Sequence, residues 1–308
     1  MNLLNKFNAI EIAADTRISE ADRVYCQTQQ EAYDHARGVL KVMAERSRAD
    51  MDEQVRLLGR NGEEVYETAT YLGKVRPSDF ADSLRDSHSL FIGRIFSYLR
   101  QTYKVTISEN DAKEVLLPKK PDNYRAYTKE EIQALTEATK AYNESLNNLA
   151  LKYSDILDQV FIQLGGFTFK DKAVQELKDA AHKAGWNSYN GKKVYEQKKA
   201  VLSFPGYACH FDGWYEEYHK GEHQIELTDS MKAVIRALAH FDLGIMSDFP
   251  YNFSELLGYS WKTDDTEMPF HLDKLKSIKC FKNGRVDVRF TSEAYARQFA
   301  EEYLGDAV

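Results

Sequence analysis

Residues 128–164, TKEEIQALTEATKAYNESLNNLALKYSDILDQVFIQL, decide the fold class. Thr128 followed three residues later by Glu131 is a capping-box start, in which each side chain satisfies the other residue's backbone amide. Ile132, Leu135, Thr139, Tyr142, Leu146, Leu149, Tyr153, Ile156 and Val160 then alternate steps of three and four residues. An apolar seam of this kind needs a partner helix. Ser19 to Leu58 supplies one of similar length, with Val24, Tyr25, Ala32, Ala36, Val39, Leu40, Met43, Met51, Val55 and Leu58 at helical spacing, ended by Asn61-Gly62. The economical solution is an antiparallel helical pair. A second copy of the chain is the other way to cover the 132–160 seam, and would make a homo-oligomer.

Outward from this pair, a helix is expected from about Phe80 to Tyr103, with Leu84, His88, Phe91, Ile92, Ile95 and Leu99 on one face. His88 on that face reads as a satisfied core histidine. The following stretch, KVTISENDAKEVLLPKKPDNYRAY, reads as a short strand or turn and then an ordered connection. Gly165-Gly166 ends the heptad helix, and a shorter helix follows from Asp171 to about Trp186.

The character then changes. KKAVLSF at 198–204 and QIEL at 224–227 read as strands, Asp229–Phe241 as an amphipathic helix, and residues 277–290 as a hairpin about Asn283-Gly284, the preferred pair for a two-residue type I′ turn. Ser292 caps a last helix that carries Tyr295, Phe299 and Tyr303 inward. The class is therefore α+β, mainly α: a helical bundle region over 1–166, then an α+β region over 167–308 with a C-terminal hairpin and helix.

Composition narrows the setting. With 43% hydrophobic and 29% charged residues the chain is globular, and no run approaches the length of a membrane helix. Residues 1–17 lack the basic and uninterrupted apolar regions of a signal peptide. Cys26, Cys209 and Cys280 lie far apart without CxxC spacing, which fits a reducing cytoplasm. The net charge of −7 is uneven: residues 210–267 hold twelve acids and four bases, whereas 274–289 hold six bases and the single acid Asp287. Lys276, Lys279, Lys282, Arg285 and Arg289 thus form a candidate contact for nucleic acid or an acidic partner.

The motifs of familiar enzymes are missing: there is no GxGxxG, GxxxxGK[ST], GxSxG or HExxH. No cofactor is called for. His210, Asp212, His219 and His223, beside Cys209, carry ligand types that zinc accepts and form the one candidate metal cluster. A hydrolytic pair, Asp155 and Asp158, would flank the seam without a companion. Aromatic residues crowd 186–218, namely Trp186, Tyr189, Tyr195, Phe204, Tyr207, Phe211, Trp214, Tyr215 and Tyr218, interleaved with Lys192, Lys193, Lys198 and Lys199. Such a mixture either grips single-stranded nucleic acid or builds an aromatic core.

FIGRIFSYLRQTYKVTIS at 91–108, VFIQLGGFTF at 160–169, WNSYNGKKVYEQKKAVLSFPGYA at 186–208 and CFKNGRVDVRF at 280–290 resemble a bacterial family carried by phages and integrative conjugative elements. Some longer members of that family resemble fusions to a DNA methyltransferase module, which this chain lacks, since it has no NPPY or DPPY tetrapeptide. The resemblance implies a mobile-element protein and carries over no catalytic residue. The leading expectation is a non-catalytic protein that contacts DNA or a host DNA-processing or defence protein, in an anti-defence or DNA-modification accessory role. The alternatives are a metal-dependent hydrolase or nuclease using the 209–223 cluster, and a subunit that delivers a separate methyltransferase.

Overall fold

A computed structural model describes residues 17–58, 77–121, 128–186 and 192–305. The chain divides into two compact units, one formed by residues up to Thr102 with Ile107–Phe167, the other by Tyr103–Thr106 with residues from Thr168 onward. Mainly helical structure with small antiparallel sheets makes the fold α+β, mainly α. Asn61-Gly62, Tyr189 and the first sixteen residues lie outside the described residues.

The first unit is helical: α1 (Glu20–Leu58), α2 (Pro77–Tyr103), α3 (Glu109–Leu116), α4 (Lys129–Asn148) and α5 (Tyr153–Leu164). Ser19 and Asp22 start α1 reciprocally, and the buried Asp22 carboxylate also accepts from the Tyr98 hydroxyl at 2.9 Å. Partners of α1 and of Arg17 just before it fall in reverse order along the later chain: Arg17 meets Asp158, Tyr33 meets Leu151 and Arg37 meets Leu149. This is the antiparallel arrangement that the seam requires. Leu84, Phe91, Ile92, Ile95 and Leu99 of α2 are all buried.

Two expectations fail here, both through polar contacts. The stretch read as a short strand or turn and then an ordered connection holds a helix at 109–116, because Ser108 caps α3 by accepting from the Asp111 amide. Gln163 then pins the cap by bonding both the amide and the carbonyl of Ser108, at 2.7 and 2.9 Å. The heptad helix, for its part, is not continuous: Leu149 is extended, with φ −62° and ψ 130°, and separates α4 from α5. At that break Arg37 Nε donates to the Leu149 carbonyl (2.6 Å), the Leu151 amide donates to the Tyr33 hydroxyl (3.2 Å), and Gln30 bonds both the Leu151 carbonyl and the Tyr153 amide. Three side chains from one face of α1 thus satisfy the backbone groups that a helix would otherwise pair internally. The break also divides the seam: Tyr142, Leu146, Ile156 and Val160 are buried, while Ile132 is 53% exposed.

His88 lies against this break, fully buried. The Leu146 carbonyl can only accept, so Nε2 carries the proton, and Nδ1 accepts from the Tyr33 hydroxyl at 2.8 Å. Burial holds the imidazole below its usual range, and hence neutral at pH 7. It is the core histidine that its helical position implies.

The second unit opens with α6 (Phe169–Gly185) and continues through β1 (Glu196–Lys198), β2 (Val201–Phe204), β3 (Cys209–Phe211), α7 (Gly213–Tyr218), β4 (His223–Leu227), α8 (Asp229–Leu243) and α9 (Tyr251–Leu257). It ends with β5 (Trp261–Thr263), β6 (Glu267–Pro269), β7 (Leu275–Cys280), β8 (Val286–Phe290) and α10 (Glu293–Phe299), which runs into a π-helical turn, Ala300–Leu304. Two antiparallel sheets form, in the orders β1-β2-β8-β7-β6 and β3-β4-β5. Leu202, Ile278, Val286, Val288 and Phe290 of the larger sheet join Val234, Ile235 and Leu238 of α8 in the core. Phe241 meets Phe290, Phe299 and Tyr303 edge-on, within 5.5–6.3 Å.

The hairpin turn differs from the two-residue type I′ form. Gly284 N donates to the Phe281 carbonyl and Phe281 N to Arg285 O, and Gly284 alone of the pair takes positive φ, +81°. This is a three-residue loop with glycine at the left-handed position. A Cβ at Gly284 would come within 2.8 Å of Tyr207 N, so close backbone approach demands glycine as much as the turn does.

Candidate interaction surfaces

Strand register decides the fate of the five basic residues. Ser203 faces Asp287, Asp287 faces Lys279, and Lys279 faces Glu267 across neighbouring strands, all on the face opposite the core. Glu267 accepts from Arg289 at 2.8 Å and from the Ser277 hydroxyl at 2.7 Å, with Lys279 3.6 Å away. The Ser277 bond, with the two cations beside it, holds Glu267 below the usual carboxylate range. Arg285 pairs with Asp287 at 3.3 Å and lies 3.8 Å over the Phe281 ring, while Lys282 reaches Glu216 at 2.8 Å. Lys276 makes no ion pair among the described residues.

The charge flip along the chain is therefore largely absent in space. Glu267 belongs to the acidic segment by sequence, yet β6 pairs with β7 and sets it between two of the bases. A linear count cannot see this, because cross-strand neighbours are remote in sequence.

The four predicted metal ligands are not brought together: the described residues contain no group of three or more His, Cys, Asp or Glu side chains that could hold a metal ion. Asp212 caps α7, accepting from the Trp214 and Tyr215 amides at 3.0 and 3.1 Å. His219 stacks on Tyr215 at 4.2 Å, His223 donates from Nδ1 to Glu216 at 2.5 Å, and His210 stands exposed on β3 opposite Glu226. Asp155 accepts from the Lys152 amide and Asp158 pairs with Arg17, so this acid pair is also engaged structurally.

The aromatic crowd divides between core and surface. Tyr195, Phe204 and Tyr215 are buried and Trp186 and Phe211 half-buried, but Tyr207, Trp214 and Tyr218 are 85%, 70% and 66% exposed. Trp214 and Tyr218, one turn apart on α7, hold their rings 4.7 Å from each other. Residues on the other side of the helix fix it. The Tyr215 hydroxyl donates to Glu222 at 2.7 Å, Lys262 Nζ lies 4.8 Å from the Tyr215 ring, and Glu216 joins His223 to Lys282. The Lys282 bond, followed by His223, holds Glu216 below the usual carboxylate range. Glu217, Glu222 and Asp264 are exposed, and Glu222 and Asp264 both act electrostatically on Tyr215. The result is a short, pinned helix offering two aromatic rings to solvent in carboxylate-rich surroundings. Tyr207, Phe211, Trp214, Tyr215 and Tyr218 signal aromatic density, but the sequence could not say which rings face outward, since a six-residue helix shows too little periodicity.

No family model, curated protein or solved structure matches the chain. No helix among the described residues is long and apolar enough to cross a membrane.

Proposed function

We propose that the chain is a non-catalytic interaction protein of a mobile element, and that it engages a DNA-processing or defence protein through a lysine- or arginine-bearing segment laid on Trp214 and Tyr218. The observation that carries this reading is the exposed ring pair on a helix anchored by Asp212, Tyr215 and Glu216. Large rings fixed in place before binding lose little entropy on association and are the commonest interface anchors. Carboxylates beside the rings favour a cation, and Lys262 over Tyr215 is the same pairing made internally.

Direct DNA contact is the weaker branch of this reading. Lys279, Lys282, Arg285 and Arg289 already have carboxylate partners, and a phosphate would have to displace them. The mobile-element setting rests on the resemblance of the four segments quoted above. The test is co-expression with each protein encoded beside its gene, alongside fluorescence anisotropy with a labelled DNA duplex. The expected outcome is a co-purifying protein that W214A/Y218A releases and K276E/R289E retains, with no duplex binding at moderate salt. Duplex binding that K276E/R289E abolishes would overturn the reading.

A further inference from the structure

A cavity of about 380 Å³ opens in the α+β unit where the end of α6, the turn after β2 and the start of α8 meet. Three rings line it, those of Trp186, Phe204 and Tyr207. Two are fixed from behind. The Trp186 indole donates to the Leu304 carbonyl at 2.6 Å, and Phe204, buried at the end of β2, has its ring 5.7 Å from that of Tyr195. Tyr207 differs: its side chain is 85% exposed and has no hydrogen bond, ion pair or ring contact among the described residues. Its backbone is nonetheless left-handed, at φ +60° directly after Gly206 at +61°. The following residue pins it, because the Ala208 amide donates to the Gly284 carbonyl at 2.8 Å and the Ala208 carbonyl accepts from the Thr228 amide at 3.1 Å. Glycine takes such a φ without strain and tyrosine does not.

The polar lining is sparse and of one sign. Lys183, on the last turn of α6, is the one charged side chain among the described lining residues, and it is exposed without an ion pair among them. The Ser230 hydroxyl, on the first turn of α8, has no hydrogen-bond partner among the described residues either. We propose that this cavity is a binding site for a small molecule that carries a planar aromatic ring and an anionic group. The ring packs against Trp186 and Tyr207, and the anion meets Lys183 and Ser230. The volume lies in the range of small-molecule sites, which pair an apolar, aromatic lining with a few polar groups that fix orientation. An unpaired lysine selects an anion, since a neutral ligand gains no charge-assisted bond from it. Tyr207 then has a physical account: an exposed ring held at a strained φ on the edge of a cavity contributes to a ligand what it does not contribute to packing. Neither Trp214 nor Tyr218 lines the cavity, so this site is separate from the rings of α7.

Nucleotides and aromatic carboxylates share the required chemistry. Isothermal titration calorimetry of the full chain with AMP and, separately, with indole-3-carboxylate distinguishes them, with adenosine, indole and inorganic phosphate as uncharged and ring-free controls. At least one of the two anions is expected to bind, and its uncharged counterpart and phosphate to bind about tenfold more weakly or worse. Y207G and K183E should each weaken binding about tenfold, W214A/Y218A should leave it unchanged, and Y207G should keep the wild-type Tm because glycine suits that backbone. No heat from either anion, binding that the uncharged counterpart or phosphate matches, or an affinity that either Y207G or K183E leaves intact would overturn the proposal.

Discussion

The helical unit and the α+β unit use polar side chains in opposite ways. In the helical unit, the buried Tyr33 and His88 and the half-buried Gln30 and Arg37 satisfy a broken helix, and an apparently continuous heptad pattern yields to them. In the α+β unit, apolar and aromatic residues fill the core, and charges are paired across the open face of the larger sheet. Side-chain hydrogen bonds to the backbone thus set where the chain breaks in the helical unit, over an apolar core that both units possess.

The largest expected effect lies in the aromatic core. Phe299→Ala removes a fully buried ring stacked 5.1 Å from Tyr303 and should cost about 3–5 kcal/mol, read by denaturant unfolding. Tyr33→Phe takes away one hydroxyl, yet it orphans both His88 Nδ1 and the Leu151 amide. A loss of about 1–3 kcal/mol is expected, with faster hydrogen exchange at 149–153 and unchanged exchange in β7 and β8. Equal acceleration in both units would show that the break is not held locally.

Smaller and more graded is the response to acid. His88 and His240 both have pKa values lowered first of all by burial, so the unfolded chain binds protons that the native state does not. Their contribution to stability is complete above the unfolded histidine value of about 6.5 and declines as pH falls through it toward the native values. Tm should drop between pH 7 and pH 5; a Tm that rises over this interval would contradict neutral burial of either imidazole. Least of all is Thr128→Ala, which removes the cap of α4 at an expected cost of about 1 kcal/mol, mostly as fraying of the first turn.

Legibility follows the same division. The Thr128 capping box, the 3.6-residue stripe of α2, the glycine after α5 and the alternation of Val286, Val288 and Phe290 are local signals, and each appears where the sequence places it. The Leu149 break was hidden because it depends on residues more than a hundred positions away. Short β3, β5 and β6 and the six-residue α7 carry too few residues for a periodic signal. For the candidate site the loss was greater: a run of bases near 280 is visible in the chain, whereas its neutralisation by Glu267 and Glu216 appears only after strand pairing.

The central claim, that function resides in the exposed rings of α7 and not in the basic hairpin, meets its most direct test in a calorimetric titration of the co-purified partner. Wild-type and K276E/R289E protein should bind with the same Kd within about twofold, and W214A/Y218A should bind about 30-fold more weakly, the loss of roughly 2 kcal/mol expected for an aromatic anchor. Undiminished affinity in W214A/Y218A, with loss in K276E/R289E, would contradict the account.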